Sequence, residues 1–126
     1  MSPRYLVDGM NVIGARPDEW WKDRHGAMVR LIDQIERWVA ANGAEVTVVF
    51  ERPPSPPITS PLVEVAYAPR AAPNSADDEI VRRVRADPAP ETIRVVTSDN
   101  ALADQARFAG AAVEPAETFR SRLDDA

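Results

Sequence analysis

Hydrophobic residues form two kinds of run along this chain, and the way the two kinds alternate predicts its architecture. Short apolar stretches at 4–7 (through Tyr5, Leu6 and Val7), 45–50 (Val46, Val48, Val49, Phe50) and 93–97 (Ile93, Val95, Val96) are rich in β-branched residues. Each ends at a turn signal, the pattern of strands buried on both faces. Weaker strand signals lie at 63–67 and 111–114. Between them the apolar period changes to that of a helix. Over 23–42, Met28, Leu31, Ile32, Ile35, Trp38 and Val39 share one face, and Asn42-Gly43 supplies a stop. Ser75 with Asp78 reads as a capping box, opening a helix through Ile80, Val81 and Val84 that ends before Pro88. Another helix is expected over 100–109, stopped by Gly110, and a last one after Pro115 through Phe119 and Leu123. Residues 11–22 read as irregular. Strands alternating with helices predict one α/β domain over 1–126, with a mostly parallel sheet covered on both faces.

The 52–62 segment carries Pro53, Pro54, Pro56, Pro57 and Pro61, which favours an extended, stiff loop. The same composition would suit a ligand for a proline-reading module. Composition narrows the chemistry more than the fold. The chain has no Cys and one His, His25, so neither a zinc site of the usual ligands nor a Ser-His-Asp or Cys-His nucleophile is expected. A formal net charge of -5 argues against holding nucleic acid chiefly through a basic face. No apolar run approaches the roughly 20 residues of a membrane span, and residues 1–4 lack signal-peptide organisation, so a cytoplasmic protein is expected.

Sites on open parallel sheets form beyond the carboxyl ends of the strands, at the crevice where the winding direction reverses. With strand order 3-2-1-4-5, the strand ending at Asp8 and the strand ending before Asp99 flank that crevice. Asp77 opens the helix leading from the third strand to the fourth and starts at the same edge. Helical spacing puts Asp77 on the face of Ile80, Val81 and Val84. Asp78 aligns instead with Arg82 and Arg85 on the solvent side, where an i,i+4 pair is expected. The same test puts Asp99 in register with Leu102, Ala103 and Ala106 and leaves Asp104 off that face. Facing carboxylates repel, and burial raises their pKa values, so a cation between them is required. Oxygen-only donors favour Mg²⁺ or Mn²⁺ over Zn²⁺. Asn11, just beyond Asp8, is placed to add an oxygen or hold a metal-bound water. Each acid also stands where an N-cap belongs; their convergence is what favours a site.

Four segments then form a pattern: Tyr5-Leu6-Val7-Asp8-Gly9-Met10-Asn11-Val12-Ile13, Val48-Val49-Phe50-Glu51, Ser75-Ala76-Asp77-Asp78-Glu79-Ile80, and Val96-Thr97-Ser98-Asp99-Asn100-Ala101-Leu102-Ala103. In this order and spacing they resemble the YacP-like bacterial branch of the NYN domain family, within the PIN-like nucleases. The resemblance runs from Tyr5 to about Phe119. It implies a Rossmann-like PIN/NYN three-layer sandwich and divalent-metal-dependent ribonuclease chemistry, with Asp8, Asp77 and Asp99 as the catalytic metal ligands and Asn11 beside them. Glu51 stands where the pattern usually has Asp and, like Asp78, is given a supporting role. Thr97 and Ser98 either orient a phosphate or water, or cap the helix that follows.

The implied reaction hydrolyses RNA phosphodiester bonds and leaves 5′-phosphate and 3′-hydroxyl ends. Arg16, Lys22, Arg24, Arg70 and Arg82 are the cations placed to guide RNA past an acidic mouth. Trp20 and Trp21 are the rings placed to stack bases of a single strand. Two other readings compete. A non-catalytic RNA-binding or protein-docking module would keep the fold, but the acidic trio speaks against it. A phosphatase forming an aspartyl-phosphate on Asp8 would usually need a second acid two residues on, where this chain has Met10.

Overall fold

Five strands pair in parallel in the order β3-β2-β1-β4-β5. The computed structural model describes residues 3–70, 72 and 74–125. In chain order the elements are β1 (Arg4–Asp8), α1 (Gly9–Gly14), α2 (Arg24–Asn42), β2 (Glu45–Phe50), β3 (Glu64–Tyr67), α3 (Ser75–Ala86), β4 (Ile93–Val96), α4 (Asn100–Phe108), β5 (Ala112–Glu114) and α5 (Ala116–Asp124). The predicted strand order therefore holds, and every pairing is parallel, where a mostly parallel sheet is expected from sequence. Among the described residues no helix is long and apolar enough to cross a membrane.

The period-two alternation of each strand sends its side chains to two separate cores. Tyr5, Val7, Val46, Val48 and Phe50 point to the face covered by α1, α2 and α5, where Leu31, Ile35 and Phe119 complete the packing. Leu6, Val49 and Val95 point the other way, to Ile80, Val84 and Leu102 of α3 and α4. On the first face the Tyr5 ring meets Trp38 edge-on at 5.1 Å and Trp38 meets Phe119 at 5.5 Å, the geometry that aromatic quadrupoles favour. Helix α2 starts where Asp23 accepts a hydrogen bond from the Gly26 amide at 2.9 Å. It stops at Gly43, whose φ of 65° is the left-handed conformation that glycine adopts without strain.

Three local expectations are corrected. The 11–22 stretch is not irregular throughout. It holds α1 and, after it, a 3-10 turn at Trp20–Lys22. A six-residue helix is too short to show a period, and Gly14 hides its end. The capping box at Ser75 does not form. Asn74, at φ 64°, precedes the helix without a side-chain cap bond, and Ser75 Oγ instead donates to the Glu51 carbonyl at 3.1 Å. The first turn of α3 is thereby tied to the end of β2. The third correction is the expected Asp78–Arg82 pair. Arg82 bonds Glu79 through Nε at 2.9 Å and Nη2 at 2.7 Å, and Arg83 Nε bonds the same carboxylate at 2.8 Å.

Glu79 is only 5% exposed, which its place in the sequence does not signal. Its two arginines, Arg82 foremost, hold its pKa down at about 2 against an opposing desolvation cost. Because the folded-state pKa is depressed, the stabilisation is present above about pH 4.5 and lost as the pH falls through 2. Glu79→Gln is expected to lower the urea midpoint at pH 6 and to converge on the parent protein as the pH approaches 2. A gap independent of pH would mean that packing, and not charge, makes the difference.

Candidate active site at the carboxyl edge

β1 lies between β2 and β4, so the winding reverses at its carboxyl end. Asp8 closes β1 there and is only 7% exposed. Its partner comes from the next strand. Thr97, 1% exposed and immediately after β4, donates its hydroxyl to Asp8 Oδ2 at 3.1 Å. The same hydroxyl oxygen accepts the Asp99 amide at 3.1 Å. One threonine therefore sets the position of the first acid relative to the backbone of the third.

Gly9 explains why Asp8 can sit so low. A Cβ on Gly9 would come within 2.5 Å of Phe50 Cε1, 2.8 Å of Cδ1 and 3.0 Å of Val48 Cγ1. The Phe50 ring is fully buried and has nowhere to swing. Gly9→Ala is expected to destabilise the fold by about 1–3 kcal/mol, the usual cost of overpacking, which a thermal melt would register. An unchanged melting temperature would show that α1 can move away from β2.

Asp99 is the N-cap of α4, and its Oδ1 accepts the Leu102 amide at 3.0 Å. Among the described residues, Oδ2 has no hydrogen-bond partner. Asp77, in the first turn of α3, is half-buried, while Asp78 beside it is exposed, as helical spacing predicts. The capping alternative thus accounts for one oxygen of Asp99. It does not account for Asp77, which lies inside its helix, and Asp8 makes no cap bond of full geometry, although the Asn11 amide is near enough to lower its pKa.

These acids feel one another. Burial, then the charge of Asp77, and to a lesser degree that of Asp99, push the Asp8 pKa up to about 7 against the Thr97 bond. Burial, then the charges of Asp99, Asp78 and Glu51, push Asp77 up to about 6. No cationic side chain is among the groups acting most strongly on either one. Within the described residues no three acidic or histidine side chains form a ready-made metal cluster. The donor chemistry nevertheless fits a hard dication, because all the donors are oxygens.

The supporting residues do different things. Asn11 Oδ1 accepts the Ser98 amide at 2.8 Å, which locks α1 to the loop after β4 and uses one of the two lone pairs of this oxygen. Ser98 Oγ donates to Glu117 Oε2 at 2.6 Å and accepts the Ala116 amide at 2.9 Å. It ties the loop to α5. Glu117, which no sequence signal marks out, has its pKa lowered mainly by the Ser98 bond.

The cations expected at the rim separate into two groups. Arg16 is paired with Asp124, Lys22 with Glu19, and Arg82 with Glu79. Arg24 and Arg70 form no ion pair among the described residues, and neither does Arg52, which follows β2 and joins them as a cation that the sequence did not single out. Arg24 lies over the Trp20 ring at 5.5 Å. Trp20 packs on the core, whereas Trp21 is 57% exposed.

The sequence profile of the YacP-like NYN domain matches residues 5–126. The fold is similar to the crystal structure of Rae1 (YacP) from Bacillus subtilis, at 28% identity and a TM-score of 0.76, over 97% of this chain and 74% of that one. It is also similar to a point mutant of that protein, at 27% identity and a TM-score of 0.81, over 99% of this chain and 76% of that one. A comparison with curated proteins gives no match.

Proposed function

Because this chain belongs to the YacP-like NYN domain family, whose domain is of the PIN-like nuclease type, we propose that it is a divalent-metal-dependent ribonuclease acting on cytoplasmic, single-stranded RNA. The observation that carries the reading is the charge imbalance at the carboxyl edge. Asp8 and Asp77 are raised toward neutrality by burial and by other carboxylates, and no cation is among the groups that act most strongly on them. Mg²⁺ or Mn²⁺ held by Asp8, Asp77 and Asp99 would supply that positive charge, lower the pKa of an attacking water and offset the charge of the phosphate.

The remaining work falls to the chain itself. Thr97 fixes the Asp8 carboxylate from one side and the Asp99 amide from the other. Asn11 holds the Ser98 amide and acts as a positioning residue. Ser75, bonded to the Glu51 carbonyl, sets the start of α3 and with it Asp77. Asp99 gives one oxygen to its helix, and the other has no hydrogen-bond partner among the described residues. Arg24, Arg52 and Arg70 are the cations available to draw a polyanion toward an acidic mouth. No side chain is assigned as general base, which agrees with His25 being engaged elsewhere, at the Pro56 carbonyl.

The test is cleavage of a labelled single-stranded RNA with Mn²⁺, with and without EDTA, by the parent protein and by Asp77→Asn and Asp78→Asn. Metal-dependent fragments with 5′-phosphate ends are expected. Asp77→Asn should lose most of the activity, and Asp78→Asn should lose little. RNA binding that ignores EDTA and releases no fragments would establish the non-catalytic module instead.

A further inference from the structure

Next to the acids, and not lined by Asp8, Asp77 or Asp99, lies a cavity of about 250 Å³ between α2 and the chain leaving β2. Its floor is apolar and comes from three elements: Met10 of α1, Met28 of α2 and Phe50 of β2. Glu51, Arg24 and Arg52 supply its charged groups, His25 and Ser55 add neutral polar ones, and Pro53 and Pro54 complete the lining. The cavity adjoins the acidic site directly. Gly9, between Asp8 and Met10, rests on the Phe50 ring, and the Glu51 carboxylate is close enough to Asp77 to raise its pKa.

The outer wall is held in place. His25 Nε2 donates to the Pro56 carbonyl at 2.8 Å. Ser60 Oγ donates to Glu36 Oε2 of α2 at 2.7 Å and accepts the Val63 amide at 3.1 Å. Ile58 packs on the core between these two anchors. The proline tract thus serves as a stiff wall fastened to α2. The cavity is smaller than the roughly 300–1,000 Å³ that takes a drug-sized ligand, which scales it to one ring system.

We infer that this cavity seats one unpaired guanine base of the RNA, next to the phosphate at the acidic site, and so selects where the strand is cut. The floor is suited to a flat aromatic ring, since methionine thioethers adapt to such faces. The polar groups select among the bases. An arginine donates two hydrogen bonds to guanine O6 and N7, and a carboxylate accepts from guanine N1–H and N2–H₂, an edge that is open only in single strands. Adenine and the pyrimidines cannot satisfy both at once. The position of the cut rests on the nuclease reading; the binding of the base does not.

The test therefore has two arms. In EDTA, the four nucleoside monophosphates are titrated into the protein and followed by tryptophan fluorescence, with Trp20 beside Arg24 as the reporter. All four share the phosphate, so a phosphate contact cancels. GMP is expected to bind about tenfold more tightly than the others, the worth of one good bidentate pair. Glu51→Gln, an isosteric change, should remove the preference, and Met28→Trp, which fills the cavity, should remove binding. In the second arm, Mn²⁺ and RNAs with a single G at varied positions should give cuts at a fixed offset from that G, scattering in Glu51→Gln.

Equal binding of the four nucleotides, or a GMP preference that survives Glu51→Gln, overturns the base site, even if RNA is cut. Selective GMP binding by a protein that cuts no RNA sustains the base site and overturns the nuclease reading.

Discussion

Asp99→Asn is expected to lower Mn²⁺-dependent RNA cleavage by a hundredfold or more while leaving the thermal melt nearly unchanged. The two halves of this expectation have separate causes. Asparagine caps a helix about as well as aspartate, so the bond from the Leu102 amide, now made to Oδ1 of Asp99, survives the change and α4 keeps its start. The variant loses the negative charge of the carboxylate. Removing a group that merely supports a metal ligand typically costs about 10–100-fold in affinity or activity, and removing a ligand should cost at least as much. Asp99→Ala serves as the control. It deletes the cap as well and should lose roughly 1 kcal/mol of stability in addition. If Asp99→Asn keeps full activity while only Asp99→Ala is impaired, Asp99 is a cap and nothing more, and the metal reading loses one of its three ligands.

The parts of this design that are legible in the sequence are those written as periods. Apolar runs at 4–7, 45–50 and 93–97 mark the central strands, and helical spacing separates half-buried Asp77 from exposed Asp78. What escapes a sequence reading is written as single contacts. Nothing in the order of residues says that Ser75 bonds the Glu51 carbonyl and not its own helix, because a serine before a helix fits both. The Glu79 carboxylate looks like one more surface charge until its two arginines fold over it. Asn11 and Ser98 lie beside the acids, and the order of residues does not say that Asn11 Oδ1 also joins α1 to the loop after β4 or that Ser98 Oγ joins that loop to α5. The rim cations follow the same rule: sequence gives their positions along the chain, but only the fold shows that Arg16 and Arg82 already have partners while Arg52 lines the cavity with no ion pair among the described residues.

Asp8→Asn should stabilise the metal-free protein and destabilise it relative to the parent once Mn²⁺ is present. Burial and the neighbouring carboxylates raise the Asp8 pKa from 3.8 to about 7. The folded state therefore holds this proton more tightly than the unfolded chain does, so the associated stability is full below pH 3.8 and lost as the pH rises through 7. At pH 8 the parent carries a buried, ionised carboxylate at a cost of up to about 4 kcal/mol, from about 1.4 kcal/mol per pKa unit. Asparagine removes that cost and can still accept the Thr97 hydroxyl, although its buried amide hydrogens return roughly 1–3 kcal/mol of penalty if they find no partner. The expected net gain at pH 8 is thus about 1–3 kcal/mol, shrinking as the pH falls toward 4. Mn²⁺ should then raise the melting temperature of the parent by mass action and leave that of the variant almost unmoved, so the order of the two inverts. Two outcomes would count against Asp8 as the centre of the site: a variant less stable than the parent without metal at every pH, or equal shifts with Mn²⁺ in both proteins. Either would make the buried carboxylate a structural partner of Thr97, and the charge imbalance at the carboxyl edge would no longer require a cation.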